Sequence, residues 1–174
     1  MKDTHIFIII VVVCVLFLIK DKIVAHFDPA IHRADYYTVR APDGWTKTVE
    51  KEEVVWVCPD KELFSNMPEA IFSIYATKPK IPLFLEDVFF DAVSEVKRAN
   101  GRILDKGEIK IQNALSNWVL FVNEDPKLVI LTFYLIDDYN RFIRIQYISH
   151  PKAFKKYRET FEKFKSTLQL RKMF

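Results

Sequence analysis

The residues able to do chemistry are present in this chain but are not gathered into a recognisable catalytic set. His5, His26, His32 and His150 are scattered and none opens a metal-ligand motif, whereas a zinc site needs three or four converging ligands. The acidic pairs Glu124-Asp125 and Asp137-Asp138 fall in turn-like stretches, where Asp ordinarily bonds nearby backbone rather than relaying protons. No serine stands in a nucleophile-elbow context, and Gly44, Gly101 and Gly107 are too far apart to form a phosphate-cradling loop. Cys58 lies in an apolar, strand-like run and reads as a core thiol. These readings predict a protein that is not an enzyme and holds neither cofactor nor metal.

Charge gives a better lead. The formal net charge is +3 over 174 residues, too small to mark a nucleic-acid footprint by itself. The bases are nevertheless concentrated beyond Pro151, where only Glu159 and Glu162 oppose them. Lys152, Lys155, Lys156, Arg158, Lys163 and Lys165 are the candidate contact residues for anionic lipid or an acidic protein partner. The plain alternative is a solvated helix face. Trp45, Trp56 and Trp118 suit either a binding surface or the core, with burial the stronger expectation.

The elements that would position these residues follow from hydropathy periods. Alternation predicts strands over residues 36–40, 46–50 and 53–58, the last two as a hairpin, and another over 70–77. Pro42-Asp43-Gly44 supplies turn chemistry after the first. Leu85, Val88, Phe89, Ala92, Val93 and Val96 then recur at helical spacing, with acids early, bases late and Asn100-Gly101 as a stop. Strand-like runs follow at 102–105, 108–112, 117–123 and 127–136. From Leu128 to Ile136 the last of these is apolar on both alternating sets apart from Thr132, which predicts an interior strand covered on both faces. A strand over 141–149 leads into a final helix carrying Phe154, Tyr157, Phe161, Phe164 and Leu168 on one side, with Pro151 in its first turn. Consecutive strands joined by short turns pair antiparallel, so the fold class is α+β with helices packed on an antiparallel sheet.

The N-terminus is of another kind. Residues 6–19, IFIIIVVVCVLFLI, are apolar without a break. As a helix they rise about 21 Å, short of a roughly 30 Å hydrocarbon core, although Thr4, His5, Lys20 and Lys22 extend the reach. Lys20, Asp21 and Lys22 follow directly, and the one candidate cleavage point, after Ala25, has bulky Ile23 where a small residue is preferred. An uncleaved signal anchor is therefore expected over residues 1–22, with a cleaved signal or a buried element as alternatives. Cys14 follows three valines and so lacks the small residue a lipidation signal requires. Cys14 and Cys58 are not expected to meet, which excludes a disulfide framework.

The stretches YYTVRAPDGW (Tyr36 to Trp45), GRILDKGEIKIQNALSNWVLFV (Gly101 to Val122) and FEKFKSTLQL near the C-terminus resemble the PsbP-like superfamily. That superfamily includes the extrinsic PsbP subunit of the photosystem, yeast Ran-binding relatives and many bacterial extracytoplasmic proteins. The resemblance covers residues 35–170. It implies an α/β/α sandwich about an antiparallel sheet and a non-enzymatic binding role. No photosystem metal-binding or Ran-contact residue matches a position here, so those activities are not carried over. Some bacterial relatives resemble chaperones for hydrophobic segments.

The expectation is thus a transmembrane anchor over residues 1–22, a linker over 23–34 and a PsbP-like α/β/α domain over 35–174. The body would sit on the extracytoplasmic side of the membrane, single-pass, and bind a protein partner without nucleic acid. The alternative is a carrier or chaperone for lipid or hydrophobic segments.

Overall fold

A computed structural model describes residues 28–62, 67–124 and 126–172 of the chain. The expected anchor over residues 1–22 lies outside the described residues. Among the described residues, no helix is long and apolar enough to cross a membrane.

Strand β1 (Ile31–Arg33) pairs antiparallel with β2 (Tyr37–Arg40), and the turn after β2 places Gly44 at φ +77°. Part of the segment expected as a linker is therefore a strand. His32 explains why: it is packed 5.9 Å from the Tyr37 ring and 5.8 Å from the Trp56 ring, which draws β1 onto the body.

The hairpin of β3 (Thr46–Glu50) and β4 (Glu53–Val57) continues into β5 (Ala70–Thr77). Helix α1 (Leu85–Arg98) follows, with Glu86 and Asp87 in its first turn and Lys97 and Arg98 in its last, as the helix dipole favours. Its stop is a left-handed Asn100 (φ 57°) followed by Gly101, whose N–H donates to the Val96 carbonyl at 2.8 Å. A Cβ on Gly101 would lie 2.8 Å from Val96 Cγ1, so the glycine is required by close approach.

Strands β6 (Arg102–Ile111), β7 (Ala114–Glu124), β8 (Lys127–Ile136) and β9 (Phe142–Ser149) form a meander. The two short strands expected at 102–105 and 108–112 are one strand, β6. Lys106-Gly107 resembles a turn in sequence but continues the ladder, because the indole of Trp118 on β7 lies against the missing Gly107 side chain, 3.1 Å from where a Cβ would stand. A register shift between Ile103 and Asp105 absorbs the local irregularity.

Helix α2 (Pro151–Ser166) ends earlier than its apolar spacing suggests. The side-chain oxygen of Thr167 accepts from the Arg40 N–H at 3.0 Å, and β10 (Gln169–Leu170) pairs with β2, so Leu168 is buried in an extended tail and not in a helix.

All pairings are antiparallel. One sheet has the order β1-β2-β10 and the large one the order β3-β4-β5-β9-β8-β7-β6. Helix α2 and the small sheet cover one face of the large sheet, and α1 covers the β6–β8 part of the other. β8 is buried through Leu131, Phe133 and Leu135 on the α2 face and through Thr132 and Tyr134 on the α1 face, as its doubly apolar sequence predicts.

Candidate functional site

The six basic residues singled out in the sequence all lie on α2, but most have carboxylate partners within the chain. Lys156 Nζ donates to Asp60 Oδ2 at 2.8 Å and to Glu69 Oε2 at 2.6 Å. Tyr157 donates its hydroxyl to Asp60 at 2.6 Å, and the Lys156 and Tyr157 hydrogen bonds hold the Asp60 carboxyl below its ordinary range. The same carboxylates push the Lys156 ammonium upward, while burial, followed by the hydrogen bond to Asp60, raises Tyr157. Arg158 pairs with Glu162 at 3.0 Å, Lys163 with Glu159 at 2.8 Å, and Lys165 with Glu162 at 2.6 Å. Lys165 also stands 4.3 Å from the Phe133 ring centroid. Lys152 and Lys155 stand in the first turns of α2 and form no ion pair among the described residues. The face is thus a lattice of paired charges that ties α2 to the segment around Asp60 and Glu69.

The other residues considered for chemistry have structural partners. Asp137 Oδ1 accepts from the Tyr139 N–H at 3.0 Å and the Arg141 N–H at 3.1 Å, and its Oδ2 accepts from both Nε, at 2.6 Å, and Nη2 of the buried Arg141 guanidinium. Sequence reasoning placed Asp137 in a turn but gave no sign that the neighbouring arginine folds back onto it. Cys58 accepts from the Ala70 N–H and donates to the Asp60 carbonyl, both at 3.1 Å, as a buried thiol. His150 Nε2 lies 3.3 Å from Glu62 Oε2. Trp56 is fully buried; Trp45 and Trp118 pack partly buried against the same core. Among the described residues no cluster of three or more His, Cys, Asp or Glu is arranged to hold a metal ion.

The α1 side is built differently. Its buried cluster is Leu85, Val119 and Tyr134, rimmed by half-buried Phe89, Phe121 and Phe142. Outside it stand Ile81, Phe84 and Phe90, at 75%, 68% and 71% exposure, with Leu83 beside them. Between α1 and strands β6 and β7 runs a cleft of about 440 Å³ lined by Phe89, Phe90, Val93, Lys106, Glu108 and Asn117. Asn117, only 6% exposed, lies in its floor with its Oδ1 lacking a hydrogen-bond partner. Apolar walls with few polar groups are the usual make-up of a recognition site. The sequence held one overlooked signal for it: Phe84 and Phe90 fall outside the apolar stripe of α1 that Leu85, Val93 and Val96 define.

No family model and no curated protein matches the chain. Solved structures do. The cyanobacterial PsbP (CyanoP) of Synechocystis is similar at TM-score 0.54 and 12% identity, over 78% of this chain and 86% of that one. A Pseudomonas aeruginosa protein of unknown function, PA94, gives 0.62 and 12% over 82% and 97%. The Saccharomyces cerevisiae Ran-binding protein Mog1p gives 0.50 and 12% over 77% and 89%. The chain therefore has a PsbP/Mog1-like fold, as the sequence resemblance implied.

Proposed function

We propose that this chain is a non-catalytic binding module that engages a protein partner through its α1 side, and that residues 6–19 hold it at a membrane with the folded body outside the cytoplasm. The observation that carries the reading is the exposed Phe90 ring on the wall of an open cleft, with Ile81, Leu83 and Phe84 also exposed just ahead of α1. Large apolar side chains clustered in water are characteristic of interaction surfaces, and aromatic ones supply most of the energy at interface centres. The known partner of one structural neighbour, the Ran-binding protein, is itself a protein, which agrees with the class of ligand but not with any named one. The basic face of α2 lies on the opposite side of the sheet and acts chiefly in holding the helix, through the ion pairs of Lys156, Arg158, Lys163 and Lys165.

The test is site-specific photo-crosslinking of the full chain in its own membranes, with the probe at position 90 and a control probe at position 159. A protein adduct at 90 and none at 159 is expected. Recovery of lipid and no protein from position 90 would instead establish the carrier reading, which the same apolar cleft favours. Carbonate extraction tests the tether separately: the full-length chain is expected to remain in the membrane fraction.

A further inference from the structure

The large sheet has two open edges of unequal character. At one, β3 is five residues long and wholly exposed. At the other, β6 runs for ten residues, with Leu104 and Ile109 exposed along it. An unprotected edge of that length is a template for another strand.

The charges on β6 identify the strand that fits. Lys106 and Glu108 are exposed, point to the α1 face, and have no ion pair among the described residues, unlike the paired lysines of α2. In an antiparallel ladder, opposed residues must point to the same face. A second copy of β6 related by a twofold axis is therefore restricted to registers in which one residue faces its own counterpart. Centring on Lys106 opposes two lysines, and centring on Glu108 opposes two glutamates and also sets Lys106 against Lys110. Centring on Gly107 removes these clashes: Lys106 of each copy faces Glu108 of the other, and the residue at the crowded axis is glycine; centring on Ile109 sets Glu108 against Lys110 but leaves Lys106 opposite Gln112, past the end of the strand. The same operation on β3, centred on Thr48, sets Lys47 against Val49 and Thr46 against Glu50, with no opposite charges meeting.

We propose that the β6 edge is a homodimer interface, in which two copies pair antiparallel about Gly107 and are selected by two reciprocal Lys106–Glu108 contacts. Such an interface is isologous, as closed twofold dimers require. The register shift at Ile103/Asp105 bounds the ladder, so pairing is cleanest from Asp105 to Ile109. The axis stands perpendicular to the sheet, so both α1 helices, and both Phe90 side chains, lie on the same side of the joined sheet. This inference stands without the partner-binding reading and extends it, since the dimer presents two α1 surfaces side by side.

The test uses two differently tagged full-length copies, co-expressed, solubilised in mild detergent and captured through one tag. Wild-type copies are expected to co-purify. Lys106→Glu in both copies, or Glu108→Lys in both, turns both contacts repulsive and is expected to lower co-capture by at least about tenfold. Lys106→Glu in one copy with Glu108→Lys in the other restores opposite charges and is expected to return capture to the wild-type level. Absence of co-capture between wild-type copies, indifference to the single reversals, or failure of the mixed pair to recover would each overturn the proposal. Both sites are exposed, so unchanged thermal melting of the variants separates loss of pairing from loss of fold.

Discussion

Across the shared sheet, α2 presses Phe161 and Phe164 into a net of rings, with Phe161 5.1 Å from Phe72 and 5.2 Å from Tyr147, and Phe164 4.9 Å from Trp56. On the opposite face α1 rests on Val119 and Tyr134, its nearest ring contact being Phe89 to Tyr134 at 6.1 Å. Lys156, Lys163 and Lys165 of α2 meet carboxylates, and the Tyr147 hydroxyl donates to the Phe154 carbonyl at 2.8 Å, with burial raising its pKa to about 12. The amide oxygen of Asn117 beside α1 has no hydrogen-bond partner among the described residues, and in the α2 core neither do Trp56 Nε1 and the Tyr37 hydroxyl. A face whose apolar surface is already buried gains little from a ligand. A face left with exposed rings and an unmet acceptor gains both burial and a hydrogen bond on association. The contrast is why function is assigned to the α1 side although the sequence directs attention to α2.

The sharpest way to break the contrast is to cut into both cores. Phe161→Ala is expected to cost about 3–5 kcal/mol in urea unfolding, the usual range for a fully buried ring. Val119→Ala is expected to cost roughly 1–2 kcal/mol, since fewer methyl groups are lost. Equal costs would show the α1 core to be as tightly built as the other. A smaller effect concerns pH. His32 is held below its ordinary pKa, first by burial and then by Lys47. A base with a depressed folded pKa is protonated more readily in the unfolded chain, so its contribution to stability is present above about 6.5 and is lost as pH falls from there towards the folded value. The drop in melting temperature between about pH 7 and pH 5 is expected to be reduced in His32→Phe. The smallest expected effect on stability comes from Phe90→Ser, within about 0.5 kcal/mol of the parent. The same change is expected to abolish the protein adduct formed by a probe at position 84. Loss of stability comparable to Val119→Ala would place Phe90 in the fold and not at a binding surface.

Much of the fold was legible because its period is local. The residue 70–77 strand, the 85–98 helix and the doubly apolar β8 emerge as read, each from side chains a few positions apart. In sequence β6 reads as two short strands with Lys106 and Gly107 between them; only the position of Trp118, eleven residues on, shows why a glycine belongs inside a strand. The end of α2 was overrun because Leu168 keeps helical spacing from Phe164, while what ends the helix is Arg40, far away in sequence. The basic face was visible as composition, yet its counter-charges Asp60 and Glu69 come from a distant segment, so their pairing had no local signature. The Lys106–Glu108 pattern was equally visible, but it acquires meaning only once β6 is known to be an edge.

The small sheet has a mechanical consequence. The first described strand enters the body through three residues, Ile31–Arg33, zipped to β2 on one side only, while β10 grips β2 from the other. Tension applied ahead of Asp28 is therefore borne first by that short zipper, the weakest ladder in its path. When it parts, several residues of slack are released while β10 still pairs with β2.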